Sequence, residues 1–296
     1  MKFLPKFCLA LLFAGYPAFA AESGHPLTMW QIDGASNRIY LLGSIHLLRK
    51  KDHPIPSAIY DAYADAEVLI MELDMDDLDP VVEQALATEL GLIQDGRALR
   101  DLMGPRLYAE AEILADALQI PLTLLDKSEP WYAAITVEIM MLMRVGFSPM
   151  HGIEFHLSEY AKRDNKEIRG LETTRQQLEI LDSLSSGSQR DMLIQALTES
   201  MDLANVMDDL VDAWRYGDVE FLENSLLAEM QEYDELHQAI VLDRNINWVG
   251  QIQELLDDQD DYLIVVGALH LVGEEGVPQL LSQRGHAVSQ LHQPAN

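Results

Sequence analysis

Six side chains in this sequence are suited to hydrolytic or metal chemistry: His46, Glu72, Glu154, Glu172, Arg244 and His270. The two histidines arrive by the same local device. RIYLLGSIHLL at 38–48 and YLIVVGALHLVG at 262–273 are apolar runs that break at Gly-x-x-His. Each run reads as a buried strand, and the glycine lets the backbone turn where the strand ends. Ligand sites in open α/β sheets form at the carboxyl ends of strands, so the two imidazoles point to one shared site. Glu72 closes the run VLIMEL, and Glu172 follows the run at 167–171. A carboxylate at such a place is costly to bury without a partner. Glu154 falls in HGIE, in the first turn of a helix, and Arg244 in VLDRN, a polar cluster within an amphipathic helix.

Imidazole and carboxylate together serve two chemistries. They are ligands for manganese, cobalt or zinc, and water at an open metal position ionises near neutral pH with a spare glutamate as base. Without a metal, a His/Glu pair acts on water directly. The residues leave both open. His-Glu-x-x-His, Gly-x-Ser-x-Gly, a Walker loop and a dinucleotide fingerprint are all missing, which removes the commonest metalloprotease, serine hydrolase and nucleotide-binding readings.

The elements that must position these groups alternate. Strands are expected at 28–32, 38–45, 68–73, 121–125, 167–171, 262–268 and 286–291, and helices at 58–66, 81–90, 105–118, 131–145 and 153–162. The stretch 174–256 reads as wholly helical, with breaks at 183–188 and 216–218, a cap or lid over the sheet. A further helix follows Gly276-Val277-Pro278 and runs to about Gln283. This pattern predicts an α/β fold, a mixed sheet flanked by helices with a large helical insertion, in a single domain over 21–296. The Met-rich helix at 131–145 suits core packing or the lining of a hydrophobic groove.

With 296 residues, 48% of them hydrophobic, the chain has material for one large core. A formal charge of −29 argues against nucleic acid as a partner. Lys2 and Lys6, the apolar run 7–14 and Ala18-Phe19-Ala20 together read as a signal peptide cut after Ala20. The expected location is therefore periplasmic or secreted. Cys8, the only cysteine, lies in that leader, so the mature chain has neither disulfide nor thiolate chemistry. No stretch of the mature chain is long and apolar enough to span a bilayer.

Taken together, GSIHLL at 43–48, MELD at 71–74, GIE at 152–154, GLET at 170–173, LDRN at 242–245 and VGALHLVGEEGV at 266–277 resemble the TraB/PrgY/GumN family, which includes the Tiki-type proteins. The motifs occur in the family's order over nearly the whole mature chain. The resemblance implies a fold similar to that of erythromycin esterases and haem-binding ChaN proteins. Tiki-type relatives are regarded as metal-dependent peptidases that use the two Gly-x-x-His motifs, and PrgY-type relatives as blockers of peptide pheromones. Carried over, His46 and His270 match the signature histidines, Glu72 and Glu172 the strand-end acids, and Glu154 and Arg244 the remaining polar positions.

The expectation is a periplasmic metal-dependent hydrolase acting on peptides. His46 and His270 are its ligands, Glu72 its ligand or base, and Glu154, Glu172 and Arg244 orient the site or stabilise negative charge. Two alternatives stand beside it. One is a protein that sequesters a peptide or a haem/iron ligand without turnover, and the other a metal-free esterase using a His/Glu pair on a small-molecule substrate.

Overall fold

The computed structural model describes residues 24–227 and 230–294. The expected signal peptide, its cleavage point after Ala20 and Cys8 lie outside the described residues. Six strands form one sheet: β1 (Pro26–Asp33), β2 (Arg38–Ser44), β3 (Val68–Met71), β4 (Glu167–Gly170), β5 (Tyr262–Gly267) and β6 (Val288–His292). Their order across the sheet is β4-β3-β5-β2-β1-β6. β1 is antiparallel to β2 and β6, whereas β4, β3, β5 and β2 are parallel neighbours. The sheet is thus mixed, as expected. Its parallel part is covered on both faces, which is why every residue of β3 and β5 is buried.

The helices are α1 (Ser57–Asp65), α2 (Pro80–Gly91), α3 (Leu99–Ala117), α4 (Pro130–Arg144), α5 (Ile153–Asp164), α6 (Thr174–Asp182), α7 (Ser186–Glu199), α8 (Leu203–Tyr216), α9 (Val219–Leu226), α10 (Asp234–His237), α11 (Asp243–Leu255) and α12 (Val277–Gln283). Strand residues alternate between two cores, as the pleat requires. Leu42, Leu69 and Val265 pack with Ile59, Leu157 and Trp214 on one face. Ile39, Ile70 and Ile264 pack with Trp248, Ile252 and Leu281 on the other. A third cluster, including Ala111, Ala115, Ala133, Val137 and Leu193, lies between α3, α4 and α7.

Two expectations need correction. The run at 121–125 is not a strand: Leu122–Leu125 is a single 3-10 turn. A four-residue apolar run carries no period that separates strand from helix, and its burial here comes from the α3/α4/α7 core. The block 174–256 is helical, but it is not one cap. Its helix α7 joins α3 and α4 in the third core, while α11 lies on the sheet. The first half of the Met-rich helix α4 is core, with Trp131, Ala133, Ala134 and Val137 fully buried, whereas its second half is more open, with Met143 exposed and Leu142 on a cavity wall. Among the described residues no helix is long and apolar enough to cross a membrane.

Candidate functional site

The four parallel strands end at the same edge and deliver four of the six predicted residues side by side. Glu172 follows β4, Glu72 follows β3, His270 sits in the turn after β5 (Ala268–Leu271), and His46 lies two residues beyond β2. In register, Met71 pairs with Gly170 and Val265, and Ser44 with Gly267. Strand order therefore becomes an acid–acid–imidazole–imidazole row. The structure adds Glu154 from the first turn of α5 and Arg244 from the first turn of α11, so all six converge.

The signature glycines act differently from the sequence expectation. Neither Gly43 nor Gly267 has a positive φ, so neither is there to make a sharp turn. Gly267 makes room instead. A Cβ on it would lie 3.3 Å from Glu72 Oε1 and 3.4 Å from His46 Nε2. Gly152 serves a similar end, since a Cβ there would meet the His46 carbonyl oxygen at 1.9 Å. That approach lets Ile153 N–H donate to Ile45 O at 3.2 Å, which carries Glu154 to the His46 loop.

Two polar assemblies result. In the first, His46 Nδ1–H donates to Glu154 Oε1 across 2.8 Å, and the Ser44 hydroxyl donates to the same oxygen. Among the described residues nothing bonds His46 Nε2, and the ring is 56% exposed to the cleft. Glu154 is buried to 13% exposure, and its Oε2 has no hydrogen-bond partner.

The second assembly is built on Arg244. Its Nη2 donates to Glu72 Oε2 at 2.5 Å and also to Glu172 Oε1, and its Nε donates to Glu172 Oε1 at 3.0 Å. Its Nη1 donates to His270 Nε2 at 3.0 Å and to Ile240 O at 3.4 Å. All five guanidinium N–H groups are thereby used. His270 Nδ1–H donates to Asn245 Oδ1 at 2.7 Å, fixing the neutral tautomer whose Nε2 accepts from Arg244. Glu72 Oε1 accepts the Gly267 N–H at 2.7 Å, and Gln177 Nε2 bridges Glu72 Oε2 and Glu172 Oε1. The Trp248 ring lies under the Arg244 guanidinium at 4.6 Å and meets the His270 ring, tilted by 57°, at 4.5 Å. The five-residue π turn Gln238–Leu242 runs directly into α11 and sets the phase at which Arg244 projects.

Electrostatics separate the two imidazoles. Burial pushes His270 down, to about 3, with the Arg244 charge adding to it, so the ring is neutral. The Glu154 charge pulls His46 up, to about 9, against the cost of burial. Its exposed edge lets solvent temper that pull. Burial alone would raise Glu72, but neighbouring cations and the Gly267 N–H hold it at about 2. Because His270 is neutral, protonated His46 and Arg244 are the cations that do this at neutral pH.

A metal held by His46, His270 and Glu72 does not fit this donor set. The His270 Nε2 lone pair and Glu72 Oε2 both face Arg244, a fixed cation where the ion's charge would sit. Among the described residues no group of three or more His, Cys, Asp or Glu is arranged around a common metal position.

Two cavities meet at His46 and Glu72. One, of about 330 Å³, is walled by Met71, Met75, Met150 and Phe155. The other, of about 470 Å³, is walled by Leu142, Met207, Leu210, Leu222 and Ile240 and also holds His270 and Arg244. An extended ligand that crosses the site therefore has an apolar seat on each side.

The model of the TraB/PrgY/gumN family matches residues 28–290. The chain belongs to that family. Members similar to it include the uncharacterized protein YbaP of Escherichia coli (strain K12), 23% identical over 92% of this chain and 99% of the relative. An uncharacterized protein of Treponema pallidum (strain Nichols) is 22% identical over 86% of this chain and 80% of its own length. No solved structure matches. The structure brings the six motif residues together, and five others in the site carry no assignment from the sequence. Ser44 lies inside the GSIH motif, and Asn245 and Trp248 follow Arg244 at one and four residues. Trp248 is thus on the arginine's own helix face, a signal that was there to use. Gln177 and Glu138, a further wall residue of the larger cavity, gave none.

Proposed function

We propose that this TraB/PrgY/gumN-family protein is a hydrolase of an apolar acyl substrate, a peptide or a small ester, in which His46 is the general base. The observation that carries the reading is the contrast between the two imidazoles. His46 has Nδ1 held by buried Glu154 and Nε2 open to the cleft, whereas both nitrogens of His270 are taken. A base oriented by a carboxylate on its far nitrogen is the arrangement that proton transfer from water needs.

In this reading a water beside His46 Nε2 attacks the substrate carbonyl. The new C–O bond forms as the water proton passes to Nε2, and Glu154 stabilises the imidazolium. Collapse of the tetrahedral adduct breaks the bond to the leaving group, which takes that proton from His46. Arg244, its donors spent, positions Glu72, Glu172 and His270 and adds positive potential. The apolar cavities seat the substrate on either side of the reacting carbonyl and keep bulk water from it. The leader read from the sequence would place this reaction outside the cytoplasm.

The test is a screen of fatty-acyl esters and apolar peptides with purified protein, run with and without chelator. Turnover that survives chelation and falls by at least about 100-fold in His46→Ala supports the reading. Turnover abolished by chelation and restored by manganese, cobalt or zinc would replace it with a metal-dependent one.

A further inference from the structure

One acid on the wall of the larger cavity takes no part in either assembly. Glu138 projects from α4, one turn before Leu142, and lines the cavity with Met207, Leu210 and Ile240. It is partly buried. Among the described residues its carboxyl has no hydrogen bond or ion pair, and burial is the one influence acting on its ionisation. A carboxyl without a partner among apolar side chains is costly to keep. The other charged or titratable groups on the cavity wall are His46, Glu72, Arg244 and His270. Of the cations among them, Arg244 is committed to Glu72 and Glu172, and His46, also charged at neutral pH, to Glu154. Among the described residues the Glu138 carboxyl thus has no partner within the fold, and its use lies with what enters the cavity.

We propose that Glu138 is the counter-ion for an ammonium group on an otherwise apolar ligand. The apolar wall holds the ligand's body, and the carboxylate decides which end enters. This builds on the reading of the cleft as a substrate site and names the substrate class: a chain with a free amine, such as a peptide's α-amino end or a lysine side chain. A divalent metal would require several oxygens, whereas this stretch of wall offers one carboxylate. Burial raises the Glu138 carboxyl to about 7, and an ammonium in contact favours its ionised form. The formal charge of −29 over the whole chain adds long-range attraction for a cation.

The experiment compares n-hexylammonium with n-hexanol, two probes of matched length, titrated calorimetrically into the purified chain without added metal. Wild type is expected to bind the ammonium about tenfold or more tightly than the alcohol. Glu138→Gln is expected to lose that preference while binding the alcohol as wild type does, which also shows that the cavity is intact. Equal affinity of wild type for the two probes, an undiminished preference in Glu138→Gln, or no binding of either probe overturns the proposal. Because the readout is equilibrium binding, an ammonium preference with no hydrolysis detected leaves this inference standing and removes the hydrolase. Hydrolysis without an ammonium preference does the reverse.

Discussion

Arg244 and His270 share one lone pair: the guanidinium Nη1 donates to the imidazole Nε2 across 3.0 Å. The contact makes His270 part of the arginine's seat and leaves it unable to act as a base. With exposures of 12% for Arg244, 10% for Glu72 and 6% for Glu172, this is a buried charge network. Removal of one member of such a network costs far more than its net contribution, because the others remain buried without compensation. Arg244→Ala is therefore expected to lower the unfolding free energy by about 3–5 kcal/mol. The deficit should shrink at acidic pH, where protonation discharges Glu72. Urea unfolding at neutral and acidic pH measures both, and a loss under about 1 kcal/mol would show that the network is not buried as described.

Asn245 controls which form of His270 the fold accepts. Its Oδ1 takes the Nδ1–H, and its Nδ2 donates to Glu275 O at 2.8 Å. Asn245→Leu leaves a buried N–H unsatisfied and is expected to cost about 1–3 kcal/mol. Asn245→Asp supplies a charge that favours the imidazolium beside Arg244, so its stability relative to wild type should improve as pH falls. Unfolding midpoints of both variants across pH give the answer, and parallel wild-type and Asp pH curves would refute the tautomer assignment.

How much of this was legible beforehand follows from the range of the interactions. Each Gly-x-x-His motif and each strand-end acid is a local pattern, so the sheet edge and its four residues were readable from a short window. Glu154 was readable as a polar residue in a helix's first turn. Its pairing with His46 depends on Gly152 meeting the His46 carbonyl, a contact across the fold that no window contains. Gln177 and Glu138 act through partners or walls distant in sequence, and the π turn before Arg244 has no compositional marker. The apolar run at 121–125 has the composition of a strand because burial by helices and burial in a sheet select the same residues over so short a span. The metal expectation came from the residue types together with the family resemblance, and neither shows that a guanidinium sits among those same groups.

Gly267 offers a test of positioning with little effect on folding. Its φ of −50° suits any residue, so alanine brings no backbone strain. The added Cβ would press on Glu72 Oε1 and His46 Nε2. Gly267→Ala is expected to leave the unfolding midpoint close to wild type and to reduce turnover by about 100-fold, the scale of a misplaced catalytic group. Gly152→Ala differs, because its Cβ would collide with backbone. It should cost stability as well, by about 1–3 kcal/mol. Thermal melts beside initial rates separate the two, and full activity in Gly267→Ala would mean that His46 and Glu72 do not work at this spacing.

His46 sets the pH dependence. Glu154 lifts its pKa in the folded chain above the ordinary imidazole value, towards about 9. The unfolded chain releases its proton first as pH rises, so this pair contributes stability that is fully present below the ordinary imidazole pKa and is lost as pH rises through the folded value. Catalysis by a neutral base runs the other way. The rate constant kcat/KM should climb with pH and level off above the folded pKa, on the alkaline side of a free histidine. Glu154→Gln removes the charge that lifts the pKa, so the rising limb should move towards lower pH while the plateau falls, because the imidazolium formed in the reaction has lost its stabilising partner. The ring exposure of 56% makes the size of this move smaller than a buried pair would show. Nuclear magnetic resonance titration of the His46 ring in both proteins gives the pKa without any assay. An unchanged pKa in Glu154→Gln would end the account of Glu154 as the residue that tunes the base.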